Sequence, residues 1–127
     1  MDWKIEVVAM PVTDVDRAIA FYTEKVGYTL DFDHRVSDEV RFVQITPPGS
    51  ACSIVMGKGI TDMAPGSQRG LQVVISDADV ALAELSSRGV EVSAIESMPW
   101  GRFIFFADPD GNTWSLQESP NRVNPPA

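Results

Sequence analysis

Two apolar stretches of strand length, IEVVAMPV (residues 5–12) and LQVVI (71–75), each give way to a short polar turn and then to a pattern of longer period. Val15, Ala18, Ile19, Tyr22 and Val26 recur at helical spacing, as do Ala78, Ala81, Leu82 and Leu85. Asp14 and Asp77 stand where an N-cap belongs, since a short carboxylate accepts the unpaired amides of a first helical turn. Gly27 and Gly89 stand where a left-handed residue closes a helix. Three strand candidates follow each helix: residues 28–34, 39–46 and 51–57 in the first half, and 90–96, 101–108 and 113–118 in the second. The last two of each set are joined by TPPG and DPDG, both proline-then-glycine turns.

The two halves are copies. VTDVDRAIAFY (12–22) aligns with ISDADVALAEL (75–85), which pairs Asp14 with Asp77, Asp16 with Asp79 and Ala18 with Ala81. The expected fold is α+β, two βαβββ modules in tandem within one domain of residues 1–119. Module one spans 1–57, a linker 58–69, and module two 70–119. The linker is rich in Gly, Pro and polar residues and reads as a connection, or else as a lid over a cleft. Residues 120–127 carry no apolar period and are expected to form a loose tail.

Composition narrows the chemistry. With 127 residues the chain fits one domain with its own core. No apolar run is long enough to cross a bilayer and no signal-type segment opens the chain, so a cytoplasmic protein of a bacterium or similar cell is expected. One cysteine, Cys52, excludes an internal disulfide, and one histidine, His34, excludes most zinc chemistry. A net charge of −8 argues against nucleic acid, which is held through lysine and arginine.

PVTDVDRAIAFYTEKVGY near the start, WGRFIFFADPDGNTWSLQE at the end and the duplicated module together resemble the vicinal oxygen chelate superfamily. This group holds glyoxalase I, extradiol dioxygenases, fosfomycin-resistance transferases and bleomycin-binding proteins. The resemblance covers nearly the whole chain. It implies that each module wraps a curved mixed sheet around a cleft, with paired modules completing a cavity, often across a homodimer. In metal-dependent members, it further implies a His on the first strand of one or both modules and a Glu on the last. Such a site leaves positions open for a substrate with adjacent oxygens, polarised by the ion.

Carried over one at a time, those columns hold no ligands. Counting back from the helix caps, the His column falls on Val7 in module one and on Gly70 in module two. Four residues past the glycine of DPDG stands Ser115, and its counterpart after TPPG is Ser53, or Ile54 if the register shifts by one. Val and Ile have no lone pair to give and a hydroxyl is a weak neutral donor, so the standard metal site is expected to be absent. Glu6 and Glu118 lie off these columns, and strand alternation points them away from the cleft.

If Val7 and Ser115 mark the cleft face, alternation adds Ile5, Ala9, Gln72, Val74, Thr113 and Gln117. That mixture of amides, hydroxyls and aliphatic groups suits a small organic ligand. Trp100, at the start of a strand of module two, offers a stacking surface or a dimer contact. Trp114 alternates with Ser115 and is expected under a helix. Arg41 and Arg102 open equivalent RF strands; Arg41 is a candidate for holding an anionic ligand, or else an exposed strand-end charge. His34 is a weak candidate for general acid or base beside Arg41, and otherwise a surface residue. Cys52 reads as a small core residue.

The expected function is binding of a small organic ligand in the cleft of a homodimer, with no cofactor and no membrane partner. Two alternatives use the same fold. One is a glyoxalase- or dioxygenase-like lyase or oxidoreductase with a non-standard carboxylate metal site. The other is a metal-free lyase or isomerase with His34 as base.

Overall fold

The computed structural model describes residues 1–120; most of the expected tail lies outside them. Module one comprises β1 (Val7–Ala9), α1 (Val15–Ala20) prolonged by π-helical turns (Phe21–Val26), β2 (Thr29–Arg35), β3 (Arg41–Thr46) and β4 (Ser53–Lys58). Module two comprises β5 (Leu71–Ile75), α2 (Ala78–Ser87), β6 (Glu96–Met98), β7 (Gly101–Ala107) and β8 (Thr113–Glu118). The sheets have matching orders, β1-β4-β3-β2 and β5-β8-β7-β6, with the first strand parallel to the fourth in each. The architecture is α+β, two open four-stranded mixed sheets. Among the described residues no helix is long and apolar enough to cross a membrane.

The local signals explain the element ends. Asp14 accepts from the Arg17 amide at 3.0 Å and Asp77 from the Val80 amide at 3.1 Å. Gly27 closes the first helix at φ 89°, a conformation that costs glycine little. Inside that helix the Thr23 hydroxyl donates to the Ile19 carbonyl at 2.7 Å, the acceptor that an α-helical Thr23 amide would use. Beyond it the bonding widens, and the Gly27 amide reaches the Tyr22 carbonyl five residues back.

One strand differs from its sequence pattern. Residues 90–96 alternate like a strand, yet β6 begins only at Glu96. The Ser93 hydroxyl accepts from the Phe105 amide at 3.0 Å, where a ladder carbonyl would otherwise sit. Val90, Val92 and Ile95 still pack on the core, which accounts for their apolar pattern.

The helix faces of both sheets close on one core. Met10, Tyr22, Val43 and Ile45 of module one and Ile104, Phe106, Trp114 and Leu116 of module two belong to the same buried cluster. Tyr22 stacks on Tyr28 at 6.0 Å and meets Trp114 at 5.8 Å. Complete burial of each such side chain contributes about 1.5–3 kcal/mol.

Polar groups at this seam converge on Asp108, the first residue of DPDG. Its carboxylate accepts from the Tyr22 hydroxyl at 2.7 Å, the Asn112 amide nitrogens of backbone and side chain at 2.9 and 2.8 Å, and the Asp110 amide at 3.0 Å. Trp114 Nε1 donates to the same Tyr22 oxygen at 2.9 Å. Burial, and then the Asp108 charge, push the Tyr22 phenol above its ordinary range, so it remains a donor. Asn112 also donates to the Pro11 carbonyl at 2.8 Å and accepts from the Gln68 amide at 3.1 Å, tying both module one and the linker to the turn. Gly66 passes so close that a Cβ there would lie 2.3 Å from the Asp110 carbonyl. Gly66 and Gln68 thus fasten the end of the linker to this turn.

Tyr22→Phe removes one donor from Asp108 and the acceptor of Trp114 while keeping the ring. It is expected to cost about 1–3 kcal/mol in urea unfolding, and Asp108→Ala more, because several buried donors then lose their acceptor.

Candidate ligand-binding site

Register assigns each strand residue to the helix face or to the open face turned away from the helices. In module one Val7 lies beside Ser53 and Ala9 beside Val55, while Gln44 is also paired with Val55. In module two Gln72 lies beside Ser115 and Val74 beside Gln117, with Phe105 and Phe103 on the same rungs of β7. Val43, Ile45, Ile54, Met56, Ile104, Trp114 and Leu116 fill the core on the opposite side. Val7, Ala9, Gln72, Val74, Thr113, Ser115 and Gln117 therefore occupy open faces. Ile5 precedes β1 and is exposed.

The column in module two is corrected. Val7 and Gln72 hold equivalent rungs beside Ser53 and Ser115, so the residue matching Val7 is Gln72, not Gly70. Module one carries two more residues between its first strand and its cap: Ala9 to Asp14 spans five positions, Val74 to Asp77 three. Counting back from the caps misses that insertion. Ser53 takes the open face and Ile54 the core, which fixes the register after TPPG.

Val7, Gln72, Ser53 and Ser115 do not fit a divalent ion: a side-chain amide and two neutral hydroxyls return too little for lost hydration. Glu118 points to the helix side, accepting from the Ala78 amide at 2.8 Å and from Arg102 at 3.2 and 3.3 Å. Among the described residues no three His, Cys, Asp or Glu side chains converge as ligands.

Polar side chains instead form a string across each open face. In module two Gln72 donates to Gln117 at 2.9 Å, and Gln117 donates to the Trp100 carbonyl at 2.8 Å. Phe103 and Phe105 stack beside them at 6.2 Å, and Trp100 is 61% exposed in the β6–β7 turn. In module one the Ser53 and Thr46 hydroxyls lie 2.6 Å apart, and Thr46 and Gln44 both bond Asp31. Phe32 and His34 stack at 5.9 Å on the same face, with Phe42 on the rung of His34.

Arg41 is not among these groups. It lies on the helix face, 8% exposed, bonded to Asp33 at 2.8 and 2.9 Å and to Asp16 at 3.0 Å. Arg102 repeats the arrangement with Glu118 and, at 3.0 Å, Asp79. Each arginine thus ties its sheet to the first turn of a helix, and Asp16 and Asp79 are the pair that the sequence repeat had aligned. His34 and Arg41 consequently sit on opposite faces of one sheet and cannot act together. Cys52 is half-buried and its thiol donates to the Ser53 carbonyl at 3.7 Å.

Neither open face is enclosed in the single chain. Phe32 is 49% exposed, Val74 45% and Val7 40%. A hollow of about 620 Å³ lies elsewhere, among Thr13, Asp14, Arg35, Ser37, Arg41 and Lys58. It is polar and belongs to the rim beside α1 rather than to the sheets' open faces.

The sequence model of the Glyoxalase/Bleomycin resistance protein/Dioxygenase superfamily matches residues 4–116. Uncharacterized protein YetH of Bacillus subtilis (strain 168) is 30% identical over 118 residues, which are 91% of this chain and 98% of that protein. Among solved structures, TnmS3, an antibiotic binding protein from Streptomyces sp. CB03234, is 36% identical with a TM-score of 0.84, covering 93% of this chain and 97% of its own. A glyoxalase/bleomycin resistance protein from the same organism is 38% identical with a TM-score of 0.79, covering 90% and 99%.

The Arg41 clamp has a pH signature. Its hydrogen bonds hold the Asp33 carboxyl below the ordinary value of 3.8, so the unfolded chain binds more protons than the folded one in acid. The stabilisation is present above 3.8 and is lost as pH falls through the depressed folded value. Asp33→Asn is expected to lower the urea midpoint at pH 7, with the gap to wild type narrowing as the solution is acidified.

Proposed function

Because the chain belongs to the glyoxalase/bleomycin resistance protein/dioxygenase superfamily, we propose that it binds a small, largely planar organic molecule on its open sheet faces without a resident metal. The observation that carries this reading is the composition of those faces. Aromatic rings (Phe32, Phe42, Phe103, Phe105) flank neutral amides and hydroxyls, while the columns suited to metal ligands hold Val7, Gln72, Ser53 and Ser115. Aromatic surface supplies affinity and a few fixed polar groups supply orientation. That TnmS3 is an antibiotic binding protein supports the same reading.

Val7, Gln72, Trp100, Ser115 and Gln117 are the proposed contacts, with the rings named above. A homodimer completes the site, setting the open face of module one against that of module two in a second copy. The alternation of Met1, Trp3, Ile5 and Val7, exposed at 104, 84, 73 and 40%, supports this: it extends the apolar edge of β1 with nothing over it. A second reading, a metal-free lyase or isomerase with His34 as base, is favoured by the ring's position on the open face.

Under the binding reading the purified protein sediments as a dimer, carries no stoichiometric metal, and melts several degrees higher with a planar aromatic antibiotic. A hundredfold excess over Kd corresponds to about 2.7 kcal/mol. Trp100→Ala reduces the shift without changing the melting temperature of the free protein. A panel of such compounds that leaves the melting temperature unmoved would sink this reading. Turnover that resists chelator and disappears in His34→Ala would favour the second.

A further inference from the structure

The pairing of β2 with β3 slips by one residue between Leu30 and Phe32: Leu30 faces Ile45 and Phe32 faces Gln44, leaving Asp31 as the extra residue. Such a bulge gives up ladder bonding and re-aims side chains. Without it, Phe32 and His34 would turn to the helix face and Asp33 away from Arg41. With it, the Asp31 carboxylate stands on the open face, bonded to the Thr46 hydroxyl and, at 3.5 Å, to Gln44 Nε2. Both donors are neutral.

Charge is sorted between the two faces. The strand-borne cations Arg35, Arg41, Lys58 and Arg102 all lie on helix-side rungs. There Asp33 and Glu118 neutralise Arg41 and Arg102. Asp31 and Glu96 are the strand carboxylates left on open faces, Glu96 on the rung of Phe103. Among the described residues neither forms an ion pair. A carboxylate set among aromatic rings with no protein cation opposite it is complementary to a cationic ligand, and the rings add attraction for that charge.

We infer that Asp31 is a specificity anchor selecting planar aromatic ligands that carry a protonated amine. The amine bonds the Asp31 carboxylate, and the ring system lies against Phe32, His34 and Phe42. Thr46, braced by Ser53 at 2.6 Å, holds the carboxylate in place. The inference rests on the binding reading above and adds the charge of the ligand to it.

Fluorescence titration with daunorubicin, a planar tetracycle whose appended amino sugar bears a primary amine, and with its uncharged N-acetyl derivative tests this at pH 7.5. The amine compound is expected to bind about tenfold more tightly to wild type, with the margin shrinking as salt is added. In Asp31→Asn the two affinities become equal while the urea midpoint stays at the wild-type value. Glu96→Gln retains the preference. Equal binding of both compounds to wild type would overturn the anchor and leave the binding reading standing. A preference that survives Asp31→Asn and vanishes in Glu96→Gln would also overturn it. Binding of neither compound would overturn the anchor, and the binding reading falls with it only if the wider panel also leaves the melting temperature unmoved.

Discussion

The buried carboxylate of Asp108 is the interaction on which the rest of the molecule depends. A charge removed from water is tolerated only if its lone pairs are filled, and here donors from both modules fill them. Tyr22 comes from the helical segment of module one, Asn112 from the DPDGN turn, and Asn112 in turn binds Pro11 and the linker. Two sheets that could each drift as separate modules are held in one arrangement because Asp108 is satisfied in that arrangement. The apolar cluster around Tyr22 and Trp114 supplies the area; the carboxylate supplies the register.

A second set of ionic contacts acts within each module. Arg41 reaches from β3 to Asp33 on β2 and Asp16 on α1, and Arg102 reaches from β7 to Glu118 on β8 and Asp79 on α2. These contacts draw the strand cations to the helix side. The open faces are left with rings, amides, hydroxyls and two carboxylates. Their character as binding surfaces thus follows in part from how the helices are fastened.

What could be read from sequence was what is local. Asp14 and Asp77 cap their helices within three residues, Gly27 and Gly89 close them, and the proline–glycine turns set Ser53 and Ser115 four residues on. The features that escaped reading depend on pairing with distant residues. The slip at Asp31 is invisible in LDFDH, which alternates well enough as a plain strand, and only the partner β3 shows that Phe32 and His34 change faces. The two residues added between Ala9 and Asp14 displaced the counted column from Gln72 to Gly70. Arg41 and Arg102 are equivalent in the repeat, and alternation alone turns Glu118 away from the cleft, but Asp33 could be placed on the helix face only once the β2–β3 register was known. The aligned aspartates Asp16 and Asp79 were the one signal in the repeat that could have revealed the clamp.

The separation of faces has a consequence for what this fold can do. Residues that stabilise it, from Tyr22 and Asp108 to the arginine clamps, lie on the helix side or at the seam. Residues in the positions suited to metal ligands lie on the open side, Val7 exposed at the strand edge and Ser53 and Ser115 buried at the floor of their sheets. These positions lie outside the apolar cluster that joins the modules, so the same scaffold can carry either a metal site or a metal-free, aromatic-lined surface. In this chain the open side has the second form, and the bulge at Asp31 departs from regular pairing to place a carboxylate within it.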